Sequence, residues 1–202
     1  MPKFSTFFLY LFIKNALKEC ETILDIGCGD FSPIRFLDAK TMGIDVYKPS
    51  IDKAKKLKTH NQYAVLNINN LNKYFKKRSF DAVVALDVIE HLPKDLGIKL
   101  INDIERIARK KVLILTPTGF LPQDGISEFD EHLSGWHPED FKKFGYNIYG
   151  MYGHKFFRGS YHELRFRPMI FWAIISEISQ WGYTFFHPKN STALMAIKEI
   201  NK

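Results

Sequence analysis

The stretch that decides the fold runs from Thr22 to Phe36 and reads TILDIGCGDFSPIRF. It begins with a short apolar run, Thr22–Ile26, which is typical of a buried strand, and continues into Gly27 and Gly29. Glycine permits a tight turn and lets the backbone approach a ligand where a Cβ would intrude. We therefore expect a strand, a glycine turn and a helix after it. Two glycines behind one strand are a weak signal, because they often form only a turn.

The rest of the chain repeats this alternation of apolar runs and amphipathic segments. The clearest helix, Lys94–Ala108, places its apolar side chains on one face at spacings of three and four. Runs of Ile, Leu and Val without strict alternation are typical of parallel strands covered on both faces. The pattern predicts an α/β fold, a doubly wound (Rossmann-like), seven-stranded, mostly parallel sheet with helices on both faces. The seven predicted strands are Thr22–Ile26, Thr41–Asp45, Tyr63–Asn67, Phe80–Leu86, Val112–Thr116, Asn147–Tyr152 and Ala193–Lys198.

The second predicted strand ends in Asp45, 20 residues after Asp25. An acidic side chain at this spacing can bind a ribose diol through both oxygens. A dinucleotide loop needs a third glycine, but Ser32 stands three positions after Gly29. Carboxylates at Asp25 and Asp30 would also repel a pyrophosphate, whereas they attract a cation. The residues indicate a ligand with a ribose and a positive charge, which describes S-adenosylmethionine.

Three segments resemble those of class I S-adenosylmethionine-dependent methyltransferases, especially small-molecule methyltransferases of type 11. They are LDIGCGD (Leu24–Asp30), GID (Gly43–Asp45) and FDAVVALDVIEHL (Phe80–Leu92). The resemblance extends from about Thr22 to Thr116 and is weaker beyond. It implies the fold and the cofactor S-adenosylmethionine and leaves the substrate open.

The resemblance also implies which residues hold the cofactor. The glycine loop would lie against the methionine part with Asp25 as its acidic anchor, and Asp45 would hold the ribose hydroxyls. Phe31 stands where relatives have a third glycine, so we expect the far side of the loop to differ in shape. The cofactor-binding residues expected on this basis are Asp25, Gly27, Cys28, Gly29, Asp45, Val46, Asn67, Ile68, Asn69, Leu86 and Asp87.

The adenine contact has two interpretations. Relatives often place an acidic residue after the third strand, where this chain has Asn67, Ile68 and Asn69. An amide oxygen could accept from the exocyclic amine while Ile68 packs on the ring. Equally, the asparagines could form an Asx turn. Leu86 and Asp87, at the end of the fourth strand, resemble the segment that lines the methionine end of the cofactor.

Two histidines are candidates for catalysis. His91 follows the fourth strand, where the methyl group would lie, and could act as a general base towards a hydroxyl acceptor. The alternatives are that His91 orients the loop or that Glu90 caps the following helix. His132 is a second candidate, in a segment that in similar enzymes covers the acceptor. Next to it, Trp136 is expected to be a packed anchor, and Pro138 to begin a helix.

The composition excludes several classes of protein. With 202 residues, 46% of them hydrophobic and 25% charged, the chain is an ordinary globular protein. We expect one domain over residues 1–202, with an N-terminal helix within 1–20 and substrate-side loops and helices within 117–190. Two cysteines and no Cys/His cluster of zinc-site spacing predict no disulfide framework, no metal and a cytoplasmic setting.

The net charge of +7 indicates an anionic partner without identifying it. The lysine clusters, such as Lys53–Lys58 and Lys76–Arg78, lack the interleaved aromatics of a nucleic-acid surface, so a solvated face is favoured. A basic, aromatic stretch, Tyr152–Arg167, could bind an anionic acceptor. It contains His154, Lys155, Arg158, His162, Arg165 and Arg167.

The chain has two long apolar runs. Phe4–Ile13 is too short to span a bilayer, and Pro168–Tyr183 is interrupted by Glu177 and Gln180. We expect helices docked on the domain, with contact to a membrane surface as the alternative.

The sequence favours an S-adenosylmethionine-dependent methyltransferase acting on a small molecule, with O-methylation slightly preferred. Its alternatives are an RNA methyltransferase, favoured only by the charge, and a module of the same fold that binds a cofactor or partner without catalysis. The absence of an N-P-P-Y motif after the fourth strand disfavours methylation of a base nitrogen. A nicotinamide-dependent oxidoreductase is disfavoured by Ser32. The oligomeric state stays open.

Overall fold

The computed structural model describes residues 4–122, 131–158 and 164–200. Its strands are β1 (Thr22–Ile26), β2 (Lys40–Asp45), β3 (Gln62–Val65), β4 (Phe80–Leu86), β5 (Ala108–Pro117), β6 (Asn147–His154) and β7 (Ser191–Glu199). The α-helices are α1 (Phe4–Leu17), α2 (Lys48–Leu57), α3 (Leu71–Tyr74), α4 (Lys94–Ile107), α5 (Pro138–Lys142) and α6 (Met169–Ser179). A π-helical turn, Gln180–Thr184, continues α6. None of these described helices is long and apolar enough to cross a bilayer.

The strands form one sheet in the order β3-β2-β1-β4-β5-β7-β6. Neighbouring strands from β3 to β5 pair in parallel, and β7 runs antiparallel to both β5 and β6. This confirms the predicted mostly parallel, seven-stranded sheet. The strand order reverses between β1 and β4, and ligands of such sheets bind at the carboxyl ends of the strands beside this reversal.

Alternate residues of the central strands supply two apolar cores. Ile23 of β1 joins a core with α1 on one face of the sheet, whereas Leu24 joins a core with α3, α4 and α5 on the other. The predicted apolar stripe of α4 is buried in the second core, through Leu100, Ile101, Ile104 and Ile107. The sheet is therefore covered on both faces, as its sequence predicts.

The predicted helix after the glycine turn is wrong. The chain forms only a short 3-10 helix, Pro33–Phe36, which the Ser32 hydroxyl caps by accepting the Ile34 N–H at 3.3 Å. The physical reason is length. The connection from β1 to β2 has 13 residues, 27–39. The loop up to Ser32 takes six of them and Leu37 is again extended, so four residues, 33–36, are left for the helix.

Trp136 is the packed anchor that the sequence predicts. Its side chain is fully buried, and its indole N–H donates to the Ser134 hydroxyl at 2.9 Å. The Lys94 ammonium lies 3.6 Å from the centre of the Trp136 ring. Helix α5 begins at Pro138, as expected, so Trp136 fixes the chain that enters it.

Gly97 in α4 leaves the space that Trp136 fills. A Cβ on Gly97 would lie 2.4 Å from Cζ2 of Trp136, whereas a Cβ on Gly182 would meet nothing within 4 Å.

We expect Gly97→Ala to lower the free energy of unfolding by about 1–2 kcal/mol, because overpacking outweighs the gain in helix propensity. Urea unfolding measures this as a lower midpoint with an unchanged slope. Gly182→Ala is the control and should keep or raise the midpoint, because its Cβ meets nothing within 4 Å and alanine favours a helix. An equal decrease in both variants would contradict the packing argument.

Candidate active site

Three chain turns leave the sheet at its carboxyl edge, where β1, β2 and β4 end side by side. Ile26 pairs with Ile44 on one side and with Ala85 on the other. The residues that follow these three therefore lie next to one another at the same edge of the sheet. Gly27 and Asp87, in two of these turns, have positive φ angles of 63° and 55°. This conformation is uncommon for aspartate, and such strain concentrates at functional sites. The structure thus brings the predicted site residues of three strands to one edge.

The glycine loop is packed at its first glycine and open at its second. A Cβ on Gly27 would lie 2.6 Å from Cγ2 of Val88, so the loop contacts the turn after β4. A Cβ on Gly29 would meet no atom within 4 Å, although its φ angle is 55°. Between them, the buried Cys28 donates its backbone N–H to the Ile44 carbonyl at 3.0 Å. A ligand can therefore approach the backbone at Gly29.

Asp45 ends β2 with its carboxylate held against this loop. Oδ2 accepts the Gly29 N–H at 3.0 Å, and Oδ1 accepts the Tyr47 N–H at 2.8 Å. A carboxylate has about four lone-pair sites, so both oxygens can still accept from a diol. Val46, the next residue, is 37% exposed at the same edge. This geometry fits the ribose contact that the sequence predicts.

Asp25 is buried at the base of the loop and forms a pair that the sequence analysis missed. Asp25 Oδ2 lies 3.0 Å from Nε2 of His60, and Nδ1 of His60 lies 2.9 Å from the Thr59 hydroxyl. A single histidine after a lysine-rich helix gives no signal of such a partner. Burial, with the nearby carboxylates of Asp25 and Asp45, raises the pKa of the Cys28 thiol and keeps it neutral. Asp25 therefore supports the loop from within the core.

The segment after β3 is an Asx turn. Strand β3 ends at Val65, two residues before the predicted end at Asn67. Asn67 Oδ1 accepts the Asn69 N–H at 2.9 Å and begins a 3-10 helix, Ile68–Asn70. The turn interpretation of these asparagines is confirmed. The Asn67 and Asn69 side chains are exposed. Contact of these residues with adenine stays a prediction.

Two carboxyl groups lie in the turn after β4. Glu90 is 2% exposed, and its Oε2 accepts from the Thr116 hydroxyl at 3.0 Å. Burial raises the pKa of Glu90 well above its usual range, and the negative charge of Asp87 adds to this. Desolvation raises the pKa of Asp87 to about 7, although solvent still reaches this side chain and water there offsets part of the effect. The capping role considered for Glu90 is wrong, because the residue before α4 is Pro93.

His91 and His132 come together beside these carboxyl groups. Their ring centroids are 4.8 Å apart, edge to face. His91 Nδ1 lies 3.0 Å from the Glu131 carbonyl oxygen, and His132 Nδ1 lies 2.7 Å from that of Leu121. A carbonyl only accepts, so each Nδ1 donates a proton to it, and in the neutral form of the ring Nε2 is the nitrogen that carries the lone pair. Burial lowers the pKa of His132 and favours its neutral form.

Backbone hydrogen bonds hold the two histidines in place. The carbonyl of Glu90 accepts the N–H groups of Leu133 and Ser134 at 2.8 and 3.0 Å. These bonds fix the segment that carries His132 to the turn that carries His91. The sequence predicts both residues separately, and the structure shows that they form one cluster with Glu90.

Residues 24–121 match the model of a protein family described as a methyltransferase domain. The match contains the glycine loop, Asp45 and the turn after β4, which the structure gathers at one edge. The matched region covers 98 of the 202 residues, and the fold around it is that of class I S-adenosylmethionine-dependent methyltransferases. No curated protein matches its sequence.

Solved structures similar to this methyltransferase share its fold. An S-adenosylmethionine-dependent methyltransferase from Archaeoglobus fulgidus is 16% identical, with 94% of each chain covered and a TM-score of 0.59. The plantazolicin methyltransferase BamL, in complex with a triazolic desmethylPZN analog and SAH, is 18% identical over 100% of this chain and 86% of its own, with a TM-score of 0.58. The magnesium protoporphyrin IX methyltransferase from Synechocystis PCC 6803 with bound S-adenosylmethionine is 16% identical over 96% and 78%, with a TM-score of 0.56.

The residues at the carboxyl edge fit S-adenosylmethionine as a cofactor. The space at Gly29 admits a ligand against the backbone, and the Asp45 carboxylate is presented beside it. Carboxyl groups also lie on the opposite side, after β4, where a positive charge is favoured.

Proposed function

We propose that this methyltransferase transfers the methyl group to a hydroxyl oxygen of a small-molecule acceptor. The observation that carries the proposal is the cluster of His91, His132 and Glu90 after β4. Its two imidazoles present unprotonated nitrogens, which accept from or bind to a hydroxyl group. The family match supports methyl transfer, and the acceptor is our proposal.

S-adenosylmethionine, when bound, supplies a methyl group on a cationic sulfur. The chain must hold the acceptor oxygen in line with that methyl group, and such alignment can provide several kcal/mol of the barrier. Removal of the hydroxyl proton by a positioned group contributes roughly 10²–10⁴-fold more. We assign these tasks to His91 and His132 at the acceptor end.

The glycine loop and its neighbours would hold the cofactor from the other side. We propose that Gly27, Cys28 and Gly29 contact its methionine part and that Asp45 and Val46 contact the ribose. Asn67, Ile68 and Asn69 would border the adenine, and Leu86 and Asp87 would line the methionine end. The level ends of β1, β2 and β4 and the proximity of Asp45 to Gly29 support this assignment.

Two observations bear on the acceptor. The similar structures include a plantazolicin methyltransferase and a magnesium protoporphyrin IX methyltransferase, which supports an acceptor that is not nucleic acid. In the basic stretch, the Arg158 side chain is buried, and its Nε–H donates to the Ser176 hydroxyl on α6 at 3.2 Å. We therefore do not assign Arg158 to binding of an anionic acceptor. His162 lies outside the described residues. Arg165 and Arg167 are exposed and remain available to an anionic acceptor.

Transfer to RNA is less favoured, because ion pairs engage several of the basic residues. Lys53 pairs with Asp30, Lys48 with Asp52, and Arg109 with Asp81. These pairs are typical of a solvated surface.

We expect Asp45→Ala to weaken binding of S-adenosylmethionine by roughly 10- to 100-fold, because charge-assisted hydrogen bonds to the ribose and the contact with the Gly29 N–H are lost. Calorimetric titration of the purified protein measures the affinity. Asp52→Ala is the matched control, since this exposed carboxylate lies on α2 and pairs with Lys48 of the same helix. An unchanged affinity in Asp45→Ala would remove Asp45 from the site.

The acceptor class is tested with a labelled methyl donor. A panel of phenols, hydroxy acids, amines, thiols and RNA is incubated with the protein, and the products are identified by mass spectrometry. We expect label on oxygen of a small molecule. Label on amines or RNA alone would contradict the proposal, and tight cofactor binding without turnover on any acceptor would favour a non-catalytic module.

A further inference from the structure

We propose that Glu90, His91 and His132 form a binding site for one divalent transition-metal ion at the acceptor end of the active site. One ligand atom from each residue can be chosen so that all three lie within 4.8 Å of one another. Metal–ligand bonds of about 2.0–2.2 Å place two ligand atoms at most about 4.4 Å apart, so a small side-chain movement completes the set. Across residues 4–122, 131–158 and 164–200, no other three residues of metal-ligand type converge in this way.

The hydrogen bonds around the three side chains are those of a metal site. Ligating histidines almost always donate their second ring N–H to a carbonyl or carboxylate, which fixes the tautomer. Both Nδ1 atoms face backbone carbonyls, of Glu131 and Leu121, so both Nε2 atoms can bind a metal. The Thr116 hydroxyl likewise holds one oxygen of Glu90 and leaves the other as a ligand.

The charge at this position also favours a cation. Glu90 is 2% exposed, and the Thr116 hydroxyl donates to one of its two carboxyl oxygens at 3.0 Å. Burying a carboxylate without a compensating charge is costly, and a divalent ion bound to Glu90 offsets that cost.

Two imidazoles and one carboxylate leave coordination positions open, an arrangement that suits Mn²⁺, Fe²⁺, Co²⁺ or Zn²⁺. The role of the ion rests on the proposed transfer to oxygen. An acceptor hydroxyl bound to the ion is polarised and loses its proton to water. The oxygen then bonds to the methyl carbon while the carbon–sulfur bond breaks, and the electron pair stays on sulfur. His91 and His132 would then be ligands that position the acceptor through the ion, and the expectation of no metal would be wrong.

The test uses full-length protein without an affinity tag, freed of metal by chelation. Co²⁺ and Mn²⁺ are titrated by calorimetry, and Co²⁺ also by visible absorption. We expect one ion per chain and at least a tenfold loss of affinity in Glu90→Gln, His91→Ala and His132→Ala. In Thr116→Val we expect a roughly 10-fold loss of metal affinity, because the hydrogen bond from the Thr116 hydroxyl to Glu90 is removed. His187→Ala, an exposed histidine on another surface, is the matched control.

The outcomes separate the metal site from the proposed function. Absence of ion binding, or equal binding in all variants, overturns the site and leaves O-methylation standing with the imidazoles as bases. If Glu90→Gln fails to fold, His91→Ala still tests the site, because the His91 ring is partly exposed and its removal is expected to leave the fold intact. Binding of the ion with methylation only of nitrogen overturns the proposed acceptor and keeps the site. Chelation should abolish turnover without changing the affinity for S-adenosylmethionine.

A second proposal rests on a different surface, the exposed apolar face of α6 and α1. We propose that this face binds a membrane surface that contains anionic phospholipids. Along α6 and the π-helical turn, exposed side chains recur at helical spacing at Ile170, Ile174, Ile178 and Trp181. Contiguous apolar surface of this kind marks an interaction site in soluble proteins.

The face is continuous across the two helices. The Phe8 and Trp181 rings are 4.6 Å apart, and an apolar groove of about 330 Å³ is lined by Phe8, Leu11, Phe12, Asn15, Trp181, Phe185 and Phe186. Phe7, next to it on α1, is 63% exposed.

The charges at this face point to an anionic surface. Arg165 and Arg167 are exposed directly before α6, and Lys14 is exposed on α1. Glu177, the single acidic residue of α6, lies near the buried Arg158. Apolar side chains flanked by basic ones are typical of helices that lie in the membrane interface.

Cosedimentation with vesicles of phosphatidylcholine, with and without phosphatidylserine, tests this proposal. We expect binding to the anionic vesicles, a loss of at least about tenfold in Ile174→Asp/Ile178→Asp, and a weaker preference for phosphatidylserine in Arg165→Ala/Arg167→Ala. Leu57→Asp alters an exposed leucine on α2 and is the matched control. No vesicle binding, with a dimer in sedimentation velocity that the Ile174→Asp/Ile178→Asp variant abolishes, would assign the face to a second copy of the chain and overturn the proposal.

Discussion

Parallel pairing of β2, β1 and β4 is the constraint on which the site depends. Because parallel strands point the same way, their following turns must all emerge at one edge of the sheet. The register places Ile44, Ile26 and Ala85 side by side, and the glycine loop, Asp45 and Asp87 follow at once. The close contact between Gly27 and Val88 is a result of this arrangement. A residue with a Cβ at Gly27 would disturb the loop and the turn after β4 together.

The acceptor end is built by a distant segment that returns to this edge. Two N–H groups of that segment, from Leu133 and Ser134, bind the carbonyl of Glu90. A few residues further on, Trp136 fills the space above Gly97, and the Lys94 ammonium makes a cation–π contact with its ring. The same packing that stabilises the second core therefore positions His132 beside His91. Stability and the geometry of the acceptor end are coupled through this segment.

Charge is divided between the two edges of the sheet. At the amino ends of β4 and β5, Arg109 and Lys110 surround Asp81, which also accepts the Glu21 N–H at 2.9 Å. The carboxyl edge instead carries Asp45, Asp87 and Glu90. The Asp45 carboxylate thus favours a cationic cofactor at the edge where the predicted site residues lie, although the net charge of the whole chain is +7.

The sequence by itself determined the features that depend on local chemistry. Strand and helix periodicity predicted the sheet and α4, and two glycines with Asp45 at the right spacing predicted the cofactor edge. The helix expected after the glycine loop was wrong, because the length of the connection to β2 outweighed the motif. Only the tertiary structure decided the partner of Asp25, the burial of Glu90 and the meeting of His91 with His132. These contacts join residues far apart in the chain, and which of them meet is set by how strands pair and helices pack, which local periodicity does not encode.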